Sequence, residues 1–158
     1  MIHRFKIATA TVLNMKIYTK RISLITNKNF ELIDVTDTVK RIVSESNIRN
    51  GFSIIFSLHT TTGLIIQESE EGLMKDIVNF FEKIVPREFE NYRHTHYFYK
   101  DGRMAVNPWA HLRSILTGLS LTVPVENGDL LLGGRQRIFF VELDGPQRRT
   151  FVVQVIGE

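Results

Sequence analysis

The stretch that decides the fold runs from Leu119 to Ile156 and reads LSLTVPVENGDLLLGGRQRIFFVELDGPQRRTFVVQVI. Its apolar runs are short, and they are separated by the turn signals Asn127-Gly128, Gly133-Gly134 and Asp144-Gly145-Pro146. Asn-Gly and Asp-Gly pairs between apolar runs are typical of β-hairpins. This part of the chain is therefore predicted to form antiparallel strands over residues 119–125, 130–132, 136–143 and 148–156.

The preceding sequence adds further strands and three helices. Alternating or continuous apolar runs predict strands over residues 16–25, 30–33, 52–58 and 63–67. Helical spacing predicts a helix from about residue 35 to Gly51, with Asp34, Thr36 or Asp37 as its N-cap. Two more helices are predicted, one over residues 70–85 before Pro86 and one from Asn107-Pro108 to Thr117. The sum is one α+β domain dominated by antiparallel sheet.

Composition excludes several classes of function. The chain has 158 residues, which suits one domain, and its 20 basic and 17 acidic residues interleave to a net charge of +3. A duplex-DNA binder would more often show a basic stripe or a reading motif, and neither is present. The absence of cysteine excludes disulfides and thiolate metal ligands. We find no signal peptide and no apolar run long enough to span a bilayer, so a cytoplasmic protein is expected.

Three histidines, His59, His94 and His111, stand in polar settings within apolar sequence. Neutral imidazole is the commonest metal ligand and also titrates near neutral pH, so their convergence would make a metal site or an acid–base site. Each also has an ordinary explanation: a half-buried ring bonded to the backbone, a polar loop residue, and a solvent-facing residue in a first helical turn. For His111, the helix dipole disfavours protonation and keeps the ring available as a ligand.

Other polar residues are candidates for substrate chemistry. Glu68 follows an apolar strand, where it could act as general base, although a charge at a helix N-terminus is common. The hydroxyls of Thr60 and Thr61 could hold a phosphate, and so could Arg148. Threonines in strands otherwise serve β-propensity, and arginines on an edge strand discourage aggregation.

The chain resembles the YjbQ-like proteins over roughly Met15 to the C-terminus. Each motif is weak alone, but their order and spacing together are specific. The matching pieces are His59-Thr60-Thr61, Gly63, Gln67-Glu68, Asp76, Tyr92-Arg93-His94, Ala110-His111-Leu112, Gly118 to Ser120, Pro124, Gly128, Leu132-Gly133, Gln136, Glu142, Asp144-Gly145-Pro146, Arg148-Arg149 and residues 154–158.

The resemblance implies a β-sandwich-like α+β fold, a homotrimer, and a metal-binding cleft between or beside subunits. It makes His59, His94 and His111 the expected ligands of a divalent metal, with zinc preferred over magnesium or manganese. Members of the family are associated with a weak, secondary thiamine-phosphate synthase activity. The domain is expected to span residues 15–158, with residues 1–14 as an N-terminal extension that would form an extra edge strand or reflect an upstream start.

The chain departs from the family pattern at two notable positions. Arg135 replaces a tryptophan in Gly133-Gly134-Arg135-Gln136, which removes an indole and favours an anionic ligand. Trp109 stands where an acidic residue sometimes precedes the Ala-His pair, so one candidate carboxylate ligand is missing.

Two hypotheses about function follow. The first is a metal-dependent enzyme in which the three histidines hold the ion and His59 and Glu68 are catalytic. Thr60, Thr61, Gln136 and Arg148 would bind a small phosphorylated substrate. The second is a non-enzymatic trimeric protein that binds a metal or an anion. A third hypothesis, nucleic-acid binding through interleaved tyrosines and arginine at residues 92–99, has less support.

Overall fold

The structure is a computed structural model that describes residues 14–88, 90, 92–100, 102 and 106–158. Apart from Asn14, the predicted N-terminal extension lies outside these residues. The strands are β1 Lys16–Ile25, β2 Glu31–Asp34, β3 Gly51–Ser57, β4 Thr62–Glu68, β5 Ser120–Glu126, β6 Asp129–Leu130, β7 Gln136–Glu142 and β8 Arg148–Gly157. The helices are α1 Thr36–Ser46, α2 Glu71–Ile84, α3 Pro108–Thr117 and a 3₁₀ helix, Arg93–His96.

The described strands form two antiparallel sheets. One sheet has five strands in the order β1-β8-β3-β5-β6, and the other has three in the order β2-β7-β4. Each pair of neighbouring strands runs antiparallel. The predicted α+β class, with mostly antiparallel sheet and three helices, is confirmed.

The three-stranded sheet lies between two apolar clusters. The first cluster joins α1 to facing residues of both sheets, including Phe140 and Phe151. The second lies on the opposite face, where Val141 and Leu143 pack with Trp109 and Ala110 of α3. Strand β7 is buried on both faces, which explains why its sequence is a continuous apolar run rather than an alternating one.

The ends of the elements differ in detail from the predictions. Helix α1 has Val35 at its N-cap with no side-chain cap, although the Asp34 carboxylate accepts the Thr36 N–H at 2.9 Å. Glu70 is the N-cap of α2 and accepts N–H bonds from Gly72 and Leu73. Strand β6 covers only residues 129–130 because the chain then leaves the ladder, although Leu131 N–H still bonds to the Pro124 carbonyl.

The outer face of the five-stranded sheet carries exposed apolar side chains. Residues directly opposite in an antiparallel pair share a face, and Ile156 lies opposite both Ile17 and Phe52. On this face Ile17, Ile25, Phe52 and Phe56 are 67%, 67%, 37% and 42% exposed. No helix within the described residues has the length and apolar character needed to cross a membrane.

Candidate functional site

Helix α3 is held closely against β4, and this contact fixes the position of His111. The Ser114 hydroxyl donates to the Thr62 carbonyl at 2.6 Å, and the Leu64 N–H donates to the Gly118 carbonyl at 3.1 Å. A Cβ at Gly63 would collide with the side chain of Thr117. Glycine at this position therefore allows the helix to approach the strand.

His111 and His94 form a pair at the start of α3. Their ring centroids are 5.0 Å apart and their planes are nearly perpendicular, at 86°. The Nε2 atom of His94 is buried and finds no hydrogen-bond partner within the described part of the chain. A buried polar atom without a partner is rare and needs an explanation, such as a bound ion or water.

A pocket of about 400 Å³ opens beside this histidine pair. It is lined by Tyr92, Arg93, His94, Pro108, His111 and Leu112. Tyr97 stacks on His94 with a centroid separation of 6.2 Å. The ring of Tyr99 lies edge-on to the rings of His94 and Tyr97. The pocket therefore combines apolar walls with two imidazoles and one guanidinium.

The environment of His111 disfavours the protonated form of its ring. Burial lowers the pKa of His111 below its usual range, and the neighbouring His94 lowers it further, whereas Asp144 opposes the shift. The Asp144 carboxylate also accepts a hydrogen bond of 2.6 Å from the side-chain amide of Asn107. A neutral imidazole retains the lone pair that a metal ion requires.

His59 occupies a different environment from the other two histidines. Its Nε2 accepts the Thr150 N–H at 2.9 Å, which engages the lone pair of that nitrogen. Burial and the charge of Arg149 lower the pKa of His59, against an opposing effect of Glu142. Within the described residues, no three His, Asp or Glu side chains come together closely enough to hold a metal ion. Of the three histidines that were expected to converge, His94 and His111 lie side by side, whereas His59 is bonded to β8.

A buried ion pair that sequence reasoning missed lies near His59. Arg149 donates to Glu142 from Nε at 2.7 Å and from Nη2 at 2.6 Å, and Nη2 also reaches the Thr61 hydroxyl at 3.0 Å. The Thr26 hydroxyl donates to the same carboxylate at 2.9 Å. Glu142 could have indicated this cluster in the sequence, because a carboxylate in the apolar run of β7 requires a buried partner.

The predicted general base and amide lie at the other end of the sheet. In the β4–β7 ladder Thr62 is opposite Glu142, and Glu68 is opposite Gln136. Six strand positions separate the two ends, which corresponds to about 20 Å. Glu68 pairs there with Arg135 at 3.2 Å, and Gln136 accepts the Gly133 N–H at 2.7 Å. Within one chain the structure therefore does not bring Glu68 or Gln136 to the histidines.

The other predicted residues are divided between surface and interior. Thr60 and Arg148 are exposed, whereas Thr61 is buried beneath Arg149. Asp76 is exposed on α2. Trp109 is 7% exposed and packs in the second apolar cluster, with the Arg87 guanidinium 5.0 Å from its ring centroid. The indole at this position therefore serves packing.

Comparisons with known proteins identify the relatives of this chain. The family described as UPF0047 protein YjbQ-like matches residues 20–158. A UPF0047 protein from Archaeoglobus fulgidus is 43% identical over 135 residues, which cover 85% of this chain and 98% of the relative. The UPF0047 protein YugU from Bacillus subtilis is 37% identical and covers 87% of this chain and 98% of its own length.

Solved structures that are similar to this chain come from related proteins. A YbjQ-like protein of unknown function from Sulfolobus solfataricus superposes with a TM-score of 0.83 at 37% identity, covering 92% of this chain and all of that one. A hypothetical protein from Aeropyrum pernix has a TM-score of 0.81 at 33% identity, covering 89% of this chain and 99% of that one. The match spans nearly the whole described chain in both sequence and structure, and the protein belongs to the UPF0047, YjbQ-like family.

Proposed function

We propose that the pocket beside His94 and His111 binds a divalent metal ion through these two imidazoles. The observation that carries the proposal is the buried Nε2 of His94, which has no hydrogen-bond partner among the described residues and belongs to a ring 5.0 Å from that of His111. Nitrogen ligands suit zinc better than magnesium, which prefers oxygen, and manganese is intermediate. Two protein ligands leave the remaining positions of the ion to water, substrate or a residue of another subunit.

The proposed activity is metal-dependent chemistry on a small phosphorylated substrate. A pocket of about 400 Å³ is large enough for a small molecule, and Arg93 on its wall offers a cation for a phosphate group. When bound, the metal would polarise the phosphoryl oxygen and stabilise developing charge. Asp144 is the carboxylate whose charge acts on His111, whereas Glu68, the predicted general base, lies at the other end of the β4–β7 ladder in one chain.

A thiamine-phosphate synthase-type transfer is retained as a secondary activity of this site. That transfer displaces pyrophosphate, which is usually neutralised by magnesium held through oxygen ligands. The imidazole pair fits such chemistry poorly, which is the reason for placing the synthase activity second.

A homotrimer is the proposed assembly. Its support is the outer face of the five-stranded sheet, where the exposed Ile17 and Phe52 lie on either side of Ile156, and Ile25 and Phe56 are exposed further along the same face. Contiguous apolar patches on a protein surface mark interaction sites. A second copy of this chain is the partner that the family resemblance implies for that face.

A non-enzymatic trimeric metal- or anion-binding protein is the second candidate. It is favoured because two residues that were predicted to act on a substrate form hydrogen bonds within the protein instead. Thr61 accepts a bond from Arg149, and His59 accepts one from the Thr150 backbone. In this case the metal would stabilise the fold or hold an anion, and the protein would catalyse no reaction.

Zinc binding to untagged protein, measured by calorimetry, tests the metal site. We expect wild type to bind zinc and both His94→Ala and His111→Ala to bind it at least tenfold more weakly. His59→Gln is the matched control, because Gln keeps an acceptor for the Thr150 N–H, and it should retain wild-type affinity. Failure of the wild type to bind zinc, or equal loss in the control, would contradict the two-histidine site.

Complementation of a thiamine-requiring strain separates the enzyme from the binding protein. Growth supported by wild type and lost with His111→Ala favours the enzyme. A zinc-loaded wild type that gives no growth, and no turnover of phosphorylated thiamine precursors in vitro, favours the binding protein.

A further inference from the structure

We propose that Glu142 is the positioning residue of the His94–His111 site, although its carboxylate is fully buried and lies on β7 rather than in the pocket. The inference rests on the proposed function and extends it to a residue that contacts neither imidazole. It concerns how the chain holds His111 in place to receive a ligand.

The Glu142 carboxylate accepts five hydrogen bonds. Three come from side chains: Thr26 Oγ1 at 2.9 Å, Arg149 Nε at 2.7 Å and Arg149 Nη2 at 2.6 Å. Two come from the backbone, since Oε1 also accepts the N–H groups of Leu143 and Asp144 at 2.9 and 2.8 Å. A buried ion pair is often no better for stability than apolar residues of the same volume. The geometry therefore points to a role in holding the backbone that follows β7.

The backbone that Glu142 holds leads directly to α3. Asp144 begins the turn after β7, and its Oδ2 accepts the side-chain amide of Asn107 at 2.6 Å. Asn107 is the N-cap residue of α3, yet its side chain makes no capping bond to the helix. Its amide instead ties the helix start to Asp144.

His111 lies one turn beyond this tie, so a shift of the 142–144 backbone would move its ring. Ligand-holding side chains must stay within about 0.5 Å of their productive position. The connection runs from Arg149 through Glu142 and Asp144 to Asn107. It links the five-stranded sheet, which carries Arg149, to the helix that carries His111.

The test is Glu142→Gln, which keeps the shape of the side chain and replaces one acceptor oxygen with an NH₂ group. Asp34→Asn is the matched control, because Asp34 is also ion-paired and accepts a backbone N–H, but it lies on β2 opposite Phe139, away from the turn that follows β7. We expect Glu142→Gln to weaken zinc binding by about 10–100-fold, as measured by calorimetry. We also expect it to shift the ¹⁵N imidazole signal of His111 in metal-free protein, while the control changes neither. Folded Glu142→Gln with wild-type zinc affinity and an unmoved His111 signal would overturn the proposal.

Asn107→Ala keeps the test decisive if Glu142→Gln fails to fold. This variant leaves the buried ion pair intact and cuts only the tie to Asp144, so the protein should fold. The same two readouts should move in the same direction, and no change in either would refute the proposal. If wild type binds no zinc, the proposed function fails, and the His111 signal alone then decides whether Glu142 positions the ring.

Discussion

At the level of single residues, several side chains that the sequence marked as ligand-binding make internal bonds instead. His59 accepts the Thr150 N–H at 2.9 Å, and the Thr61 hydroxyl is 3.0 Å from the Arg149 guanidinium that bonds to it. Polar side chains placed at strand ends must be satisfied when they are buried. A polar residue of this kind can therefore either bind a substrate or stabilise the fold, and only the three-dimensional structure shows which of the two it does.

The burial of His59, together with the nearby charge of Arg149, predicts a pH dependence of stability. The folded-state pKa of His59 lies below its ordinary value of 6.5, so the unfolded chain binds more protons between these two values. The stabilisation is complete above about pH 6.5 and is lost as the pH falls towards the lower folded pKa. For each extra proton bound by the unfolded chain, the free energy of unfolding falls by about 1.4 kcal/mol per pH unit.

Urea unfolding at pH 7.5, 6.5 and 5.5 measures this effect. His59→Gln keeps an acceptor for the Thr150 N–H but cannot titrate, so its free energy of unfolding should fall less on acidification than that of wild type. Identical pH dependence in the two proteins would show that His59 titrates normally.

At the level of elements, α3 carries His111 and, besides the bond from Leu64 to the Gly118 carbonyl, is anchored at three further points among the described residues. Its start is tied through Asn107, its middle through Ser114 to β4, and its inner side through Arg113 to the end of α2. Arg113 is 2% exposed, donates to the Val85 carbonyl from Nε at 2.9 Å and from Nη2 at 2.8 Å, and lies 5.5 Å from the Phe30 ring centroid. These contacts predict that α3 depends on α2 for its stability.

Arg113→Met should lower the free energy of unfolding by about 1.5–3 kcal/mol, because it removes two charged hydrogen bonds and leaves a buried carbonyl without a donor. Lys83→Met is the control, since Lys83 is exposed in the last turn of α2 and should change stability by less than about 0.5 kcal/mol. Chemical denaturation of both variants gives the comparison. Equal stability of the two would mean that the α2–α3 contact contributes little.

Most element boundaries could be predicted from the sequence because local signals decide them, whereas α1 ends at Ser46 rather than near Gly51 because Asn47 adopts a left-handed conformation. Strand β1 matches the predicted range of residues 16–25, and α3 begins at Pro108 and ends before Gly118 as expected. The site was less accessible, since it depends on contacts between distant segments. The sequence did not distinguish the exposed Arg148 from Arg149, which is buried against Glu142. Glu68 was predicted to act with the histidines, but the β4–β7 register places it at the opposite end.

At the level of the whole molecule, the two faces of the five-stranded sheet differ in what covers them. The inner face meets α1 and the second sheet in the core, whereas the outer face exposes isoleucine and phenylalanine side chains. This asymmetry supports the proposed homotrimer, because self-association would remove the exposed apolar surface from water.

Phe56→Lys should prevent assembly by replacing an exposed apolar side chain of this outer face with a charged one. Light scattering after size exclusion is expected to give the mass of three chains for wild type and a smaller mass for the variant. Ile84→Lys is the control, because Ile84 is similarly exposed at 47% but lies on α2. A monomeric wild type would exclude the homotrimer. Dissociation by Ile84→Lys but not by Phe56→Lys would place the interface away from this face of the sheet.

Strand β7 supplies side chains to both apolar clusters, and this double burial has a consequence for local motion. Ile138 and Phe140 pack into one cluster, and Val141 into the other. Its amides lie between two neighbouring strands and away from solvent, so opening them requires the loss of both clusters together. In deuterated water, the backbone protons of residues 138–141 should therefore be among the last to exchange, at a rate set by unfolding of the entire domain.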